Sequence, residues 1–103
     1  MRVISNNPEQ SRYELVEDGA LLGQAQYREL TGRISFTHTE TDPARAGQGL
    51  AAELVAFALD DVRSRGLAVL PLCPYVRAFV AKHPDQYLDL VPQADRARFG
   101  LPR

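Results

Sequence analysis

The sequence predicts an α/β fold of the α+β type, built on a mixed sheet, and three observations carry that prediction. Residues 12–39 divide into three segments of alternating polar and apolar side chains, separated by turn signals. A glycine-punctuated stretch, Asp42-Pro43-Ala44-Arg45-Ala46-Gly47-Gln48-Gly49-Leu50-Ala51, then runs straight into the longest amphipathic segment of the chain. That segment is followed by Leu67-Ala68-Val69-Leu70-Pro71-Leu72, a short continuous apolar run of the kind expected for a strand covered on both faces. Three strands in an antiparallel meander, then a helix and a parallel strand, place a βαβ unit around residues 33–72.

Residues 1–10, ending in Asn6-Asn7-Pro8-Glu9-Gln10, read as a turn-rich lead-in. The first strand is Arg12-Tyr13-Glu14-Leu15-Val16-Glu17, and Asp18-Gly19 is a dipeptide that favours a tight hairpin. The second strand covers residues 20–28, and Gly23 within it signals a bulge or a close contact. Gly32 opens a third strand over residues 33–39, with Ile34 and Phe36 on one face.

The helix over residues 50–65 gathers Leu50, Ala51, Leu54, Val55, Phe57, Ala58, Leu59 and Val62 on one broad half, with Asp61 at its rim. Arg63 and Arg65 complement the C-terminal end of its dipole, and Gly66 suits the position just past the end. After the apolar run, residues 73–83 predict a second, shorter helix. Pro74 stands in its first turn, Val76, Phe79 and Val80 point inward, and Pro84 stops it. From Pro92 onward the charges and the ending predict a fraying tail, so the core is expected within about residues 11–91 of a single domain spanning 1–103.

A chain of 103 residues supports one modest core, and 45% hydrophobic with 24% charged residues is ordinary for a globular domain. The net charge of −1 supplies no general basic field, so neither nucleic acid nor a membrane surface is the expected partner. One cysteine excludes an intrachain disulfide, and the N-terminus lacks the apolar run of a signal peptide. No apolar run is long enough to span a bilayer, and a cytoplasmic location is the expectation. His38, His83, Cys73 and the carboxylates show no metal-ligand spacing, so no metal is expected.

The glycine stretch is the strongest functional signal. Gly47 and Gly49 can take positive φ and let backbone approach a ligand closely. The free N–H groups of the helix's first turn, with the positive end of its dipole, suit an anion such as a pyrophosphate.

Four local motifs, His38-Thr39-Glu40, Gly47-Gln48-Gly49-Leu50-Ala51, Leu72-Cys73-Pro74-Tyr75-Val76 and His83-Pro84, occur in the order of a known superfamily over residues 11–91. The chain resembles the GCN5-related N-acetyltransferases, in particular their small single-domain subfamily. The resemblance implies a sheet that splays where acetyl-coenzyme A (acetyl-CoA) lies, with its pyrophosphate on the glycine loop and its thioester near Cys73. It also implies direct attack of an amine on the thioester, helped by a base for the amine and an acid for the leaving thiolate. The superfamily loop opens with Gln or Arg where this chain has Ala44, with Arg45 one place along and Gln48 in the variable slot. Backbone donors are therefore the expected ligands, and residues 45–51 (Arg45, Ala46, Gly47, Gln48, Gly49, Leu50 and Ala51) with Cys73 and Lys82 form the expected cofactor set. Larger members often place a tyrosine acid where Lys82 stands, and carry two further helices that close over the acceptor. This chain lacks those helices, which implies an open acceptor site.

The catalytic candidates are Cys73, His38, Glu40 and Tyr75, each with an ordinary alternative. Cys73 is either an inert buried thiol or a nucleophile at a helix N-terminus that takes acetyl or stands beside the sulfur. His38 is either a surface residue or, with Glu40 two places along on the same strand face, a general base. Tyr75 is core filler or a hydroxyl over the thioester, and His83 a helix-end cap first and a ligand second. Arg45, Arg77 and Lys82 are phosphate clamps or solvated charges. The leading functional expectation is an acetyl-CoA-dependent N-acetyltransferase for a peptide or small-molecule amine. A coenzyme A-binding module without turnover is the alternative, and a thiol sensor working through Cys73 a third.

Overall fold

The computed structural model describes residues 1–103 and arranges them as a five-stranded sheet in the order β1-β2-β3-β4-β5. The strands are β1 (Arg2–Asn7), β2 (Arg12–Glu17), β3 (Ala20–Leu30), β4 (Arg33–Thr41) and β5 (Ala68–Pro71). β1 to β4 are antiparallel, and β5 lies parallel to β4, joined to it through helix α1 (Leu50–Ser64). Helix α2 (Pro74–Lys82) follows β5, and two short helices, α3 (Pro84–Tyr87) and α4 (Gln93–Arg96), lead to the C-terminus.

The expected helix and the parallel strand therefore stand where their patterns put them. Leu54, Leu59 and Val62 of α1 are fully buried against Tyr13, Leu15, Ala25, Ile34 and Phe36 of the sheet, all in one apolar cluster. Asp61 sits at the rim as expected and accepts a 2.5 Å hydrogen bond from the Tyr13 hydroxyl. Burial and that carboxylate both push the Tyr13 phenol upward, so it stays a donor. Phe57 departs from the expected stripe: it is 39% exposed at the margin of the cluster.

Four expectations are corrected. Residues 1–10 are not a lead-in: residues 2–7 form the edge strand β1, paired from Arg2↔Glu17 to Asn7↔Arg12. Its alternation is weak because Ser5, Asn6 and Asn7 replace strand formers, and pairing with β2 supplies the missing preference. The apolar run 67–72 narrows to β5, and Leu72 is 47% exposed. Pro84 ends α2 but opens α3, because proline suits the first position of a helix.

The predicted fraying tail is packed. Phe99 and Leu101 are buried, and Gly100 turns the chain between them with φ of +68°. The Arg77 and Arg98 guanidiniums lie over the Phe99 ring, 5.8 and 4.7 Å from its centroid. The core thus extends past residue 91 to Leu101. Phe99→Ala is expected to lower the stability of the whole domain by about 3 kcal/mol, read by urea unfolding. A change within the noise of the midpoint would mean that the C-terminal segment is not part of the core.

Two irregularities set up the site. Leu22 is an extra residue in β3, between the pairs Leu15↔Gly23 and Val16↔Leu21. Gly23 beside it is closely packed: a Cβ there would lie 3.3 Å from Thr41 and 3.4 Å from Leu54. Thr37 is an extra residue in β4, between Gln26↔His38 and Tyr27↔Phe36. Simple alternation would put His38 and Glu40 on the same face as Ile34 and Phe36. The bulge reverses the phase, so Phe36 is buried toward α1 while His38 and Glu40 stand on the opposite, solvent-facing side.

Candidate acetyl-transfer site

The parallel ladder between β4 and β5 stops at Phe36↔Pro71, closed by one further bond from the Cys73 N–H to the Phe36 carbonyl at 2.7 Å. β4 runs on to Thr41 with no strand on that side, so the sheet opens there. The glycine loop leaves β4 at this end and enters α1. Asp42 caps the turn by accepting from the Ala44 N–H at 2.9 Å. Gly47 has φ of +84° and Gly49, the N-cap of α1, has φ of +72°, as their positions require. A Cβ at either would meet nothing within 4 Å, so this backbone faces open space.

The N–H groups of Gly47, Gly49, Leu50, Ala51 and Ala52 have no acceptor within the protein. These are the orphan donors of a helix start, enlarged by two glycine amides. The donors of Ala46 and Gln48 are used inside the loop, on the carbonyls of Pro43 and Arg45 at 3.3 Å each. These two members of the expected set therefore offer no free amide.

Arg45 is not a free cation. Its Nη1 donates to Glu17 at 2.8 Å; Arg2 lies 3.4 Å from the same carboxylate and 2.7 Å from Glu53 in the first turn of α1. This alternating chain ties the loop to β1, β2 and α1. The Arg45 guanidinium, and then Arg2, hold the Glu17 carboxyl below its ordinary range. The tie is thus complete above the ordinary glutamate range near pH ~4 and is lost as pH falls through the lower folded value.

α1 and α2 enclose a cleft of about 240 Å³ lined by Ala52, Tyr75, Ala78, Phe79, Lys82 and His83. The sequence flagged Tyr75 and Lys82 but missed Ala52, Ala78 and Phe79, whose small or partly buried side chains carry no chemical signal. Tyr75 is 40% exposed, which excludes the core-filler reading; its ring stacks on Phe79, with 6.5 Å between centroids. Partial desolvation raises its phenol, which keeps the hydroxyl protonated. His83 caps as expected: its N–H closes α2 and its carbonyl accepts from Gln86 and Tyr87, while its ring packs 4.6 Å from Phe79. Arg77 turns away from the cleft to the Pro71 and Leu72 carbonyls, so it is no phosphate clamp here.

Cys73 stands where β4 and β5 part and N-caps α2. Cys73 is buried, with 2% of the residue exposed, and its thiol donates to the Thr39 hydroxyl at 3.4 Å, a partner the sequence did not suggest. His38 and Glu40 meet on the other face, His38 Nε2 lying 3.3 Å from Glu40 Oε2. The Gln24 amide, and then His38, hold the Glu40 carboxyl below its ordinary range.

Residues 12–90 match the family described as GCN5-related N-acetyl-transferase. The chain belongs to the GCN5-related N-acetyltransferase family. Solved structures agree on the fold of this family member. The ribosomal-protein-S18-alanine N-acetyltransferase from Escherichia coli is 21% identical, with a TM-score of 0.55 over 58% of this chain and 39% of that one. A ribosomal-protein-alanine N-acetyltransferase from Brucella melitensis biovar Abortus 2308 is also 21% identical, with a TM-score of 0.54 over 82% of this chain and 63% of that one. This acetyltransferase-family chain therefore spans between two-fifths and two-thirds of the length of those relatives. No curated protein matches it. Among its own residues, no helix is long and apolar enough to cross a membrane, and no three His, Cys, Asp or Glu side chains converge as a metal site would require.

Proposed function

We propose that the protein is an acetyl-CoA-dependent N-acetyltransferase that works by direct transfer. The observation that carries this reading is the set of five unpartnered amides from Gly47 to Ala52. The last of them belongs to a residue that also lines the α1–α2 cleft. Diphosphate oxygens suit the amides, an extended apolar arm suits the cleft, and Lys82 supplies a cation at its rim. Acetyl-CoA supplies the activated acyl group.

The amine nitrogen forms a bond to the thioester carbon, the carbon–sulfur bond breaks, and the coenzyme A thiolate leaves. In this reading His38 takes the proton that the amine loses, and Glu40 stabilises the resulting imidazolium. The Tyr75 hydroxyl, protonated and at the cleft, gives a proton to the thiolate. Cys73 stands beside the sulfur rather than carrying acetyl, since its thiol is closed to solvent. The acceptor is an amine, on a peptide or a small molecule, that reaches the uncovered face of β4. A cytoplasmic setting fits a protein with a single reduced thiol.

Calorimetric titration with acetyl-CoA, with intact mass on the same sample and thiol release across an amine panel, tests the proposal. Saturable binding, no acetylated protein and amine-dependent thiol release are expected, with Cys73→Ala retaining turnover within about threefold. A one-acetyl mass gain that Cys73→Ala abolishes would replace direct transfer by a covalent route. Binding with no release for any amine would leave a coenzyme A-binding module. Absence of binding at millimolar acetyl-CoA would end the acetyltransferase reading.

A further inference from the structure

The solvent-facing side of the sheet carries a continuous line of hydrogen bonds across four strands. Asn7 of β1 donates to Glu14 Oε2 at 3.1 Å, and Arg12 Nε donates to the same oxygen at 2.7 Å. Arg12 Nη1 donates to Gln24 Oε1 at 2.9 Å. Gln24 Nε2 then donates to Glu40 Oε1 at 2.5 Å, and Glu40 Oε2 faces His38. Gln24 is the cross-strand partner of both Glu14 and Glu40, so the line follows directly from the register.

The chemistry gives this line a direction. A primary amide has one acceptor oxygen and one donor nitrogen. The Arg12 guanidinium can only donate, so it claims Gln24 Oε1 and turns Nε2 toward Glu40. That donor occupies Oε1 and leaves Oε2 for His38 Nε2. An imidazole that donates from Nε2 to a carboxylate keeps its lone pair on Nδ1, ready to take a proton. Other charged groups near Glu40 are Asp42, further along the chain beside the same hollow, and Arg12 and Glu14, which reach it only through Gln24.

We infer that Gln24, oriented by Arg12, is a positioning residue that holds the Glu40 carboxylate against His38 and so selects the ring nitrogen that accepts the proton. The inference rests on the acetyltransferase reading of the site. In this assignment Gln24 acts through Glu40 and not on the reacting atoms.

The test uses the full chain with Gln24→Ala and Gln24→Glu. Two readouts are followed: the Glu40 carboxyl resonance titrated by carbon NMR in the free protein, and the pH profile of kcat at saturating acetyl-CoA. The sign is definite. The Gln24 N–H favours the ionised carboxylate, so its loss raises the Glu40 midpoint, and a carboxylate in its place raises it further. Protonating Glu40 removes the ionised partner of His38, so the acid limb of kcat, the low-pH fall that follows Glu40 protonation, is expected to move to higher pH in the same order. Gln24→Ala should lose roughly three- to tenfold on that limb and recover toward alkaline pH, with the acetyl-CoA KM unchanged.

An unmoved Glu40 midpoint would overturn the hydrogen-bonded line itself. A moved midpoint with an unmoved kcat profile would overturn its positioning role. No turnover in the unaltered protein would instead overturn the acetyltransferase reading, and the role with it, while the NMR result would still report whether the line exists.

Discussion

Gly49→Val is expected to weaken acetyl-CoA binding at least about a hundredfold while the domain stays folded. Gly49 holds φ at +72° as the N-cap of α1. A β-branched residue is a clear outlier in that region, and forcing it there costs about 1–2 kcal/mol. The backbone relieves the strain by rotating, which re-aims the free amides of Gly47, Gly49 and Leu50. Each hydrogen bond from an amide to a charged oxygen contributes about 1.5–3 kcal/mol, so losing two accounts for the hundredfold. Nothing packs within 4 Å of the added Cβ, so the fold loses little beyond the local strain. Calorimetric titration checks the binding and thermal unfolding checks the fold. Binding within threefold of the unaltered protein would mean that the loop does not hold the phosphates.

His38→Ala is expected to lower kcat by about 10²–10³ with acetyl-CoA affinity unchanged. The two effects separate because His38 and Glu40 lie on the solvent-facing side of β4, away from the loop amides at the start of α1. Both side chains are more than half exposed, so neither supports the core and the substitution leaves stability intact. In the unaltered protein the Glu40 carboxyl is held low by the Gln24 amide and then His38. It therefore stays ionised down through the ordinary glutamate range near pH ~4, and the pair is lost only as pH falls through the lower folded value. Stopped-flow thiol detection over a series of acetyl-CoA concentrations reads both kcat and affinity. Unchanged kcat would remove His38 from the reaction and return it to the surface.

The elements legible in the sequence are those whose local pattern and burial agree. The α1 stripe from Leu50 to Val62, the Asp18-Gly19 hairpin and the two positive-φ glycines of the loop stand where the residues placed them. Those missed were decided by partners distant along the chain. Polar residues 5–7 form a strand because β2 offers them a ladder. Phe99, set among charges and turn formers, looks like part of a loose end until two guanidiniums and the cluster cover it.

The same division runs through the site. The residue types were visible: glycines at a helix start, a histidine two places before a glutamate, one cysteine after an apolar strand. Their roles were not. Period-two alternation pairs His38 with Glu40 correctly, but it also places both beside Phe36, because a single inserted residue at Thr37 leaves no trace in composition. Arg45 looks like a phosphate ligand until Glu17, 28 residues earlier, is seen to hold it. Gln24 carries no signal at all, since glutamine is ordinary on a solvent-facing strand position and its meaning comes from Arg12 and Glu40 on either side.

The sequence by itself determined the class of fold, the place of the glycine loop and the list of groups able to do chemistry, because backbone preference and periodicity are local properties. Tertiary structure alone decided which donors are free, which charges are already paired and which face each side chain meets. Those are facts of strand register and burial, and register is set by contacts between residues that the chain order keeps apart.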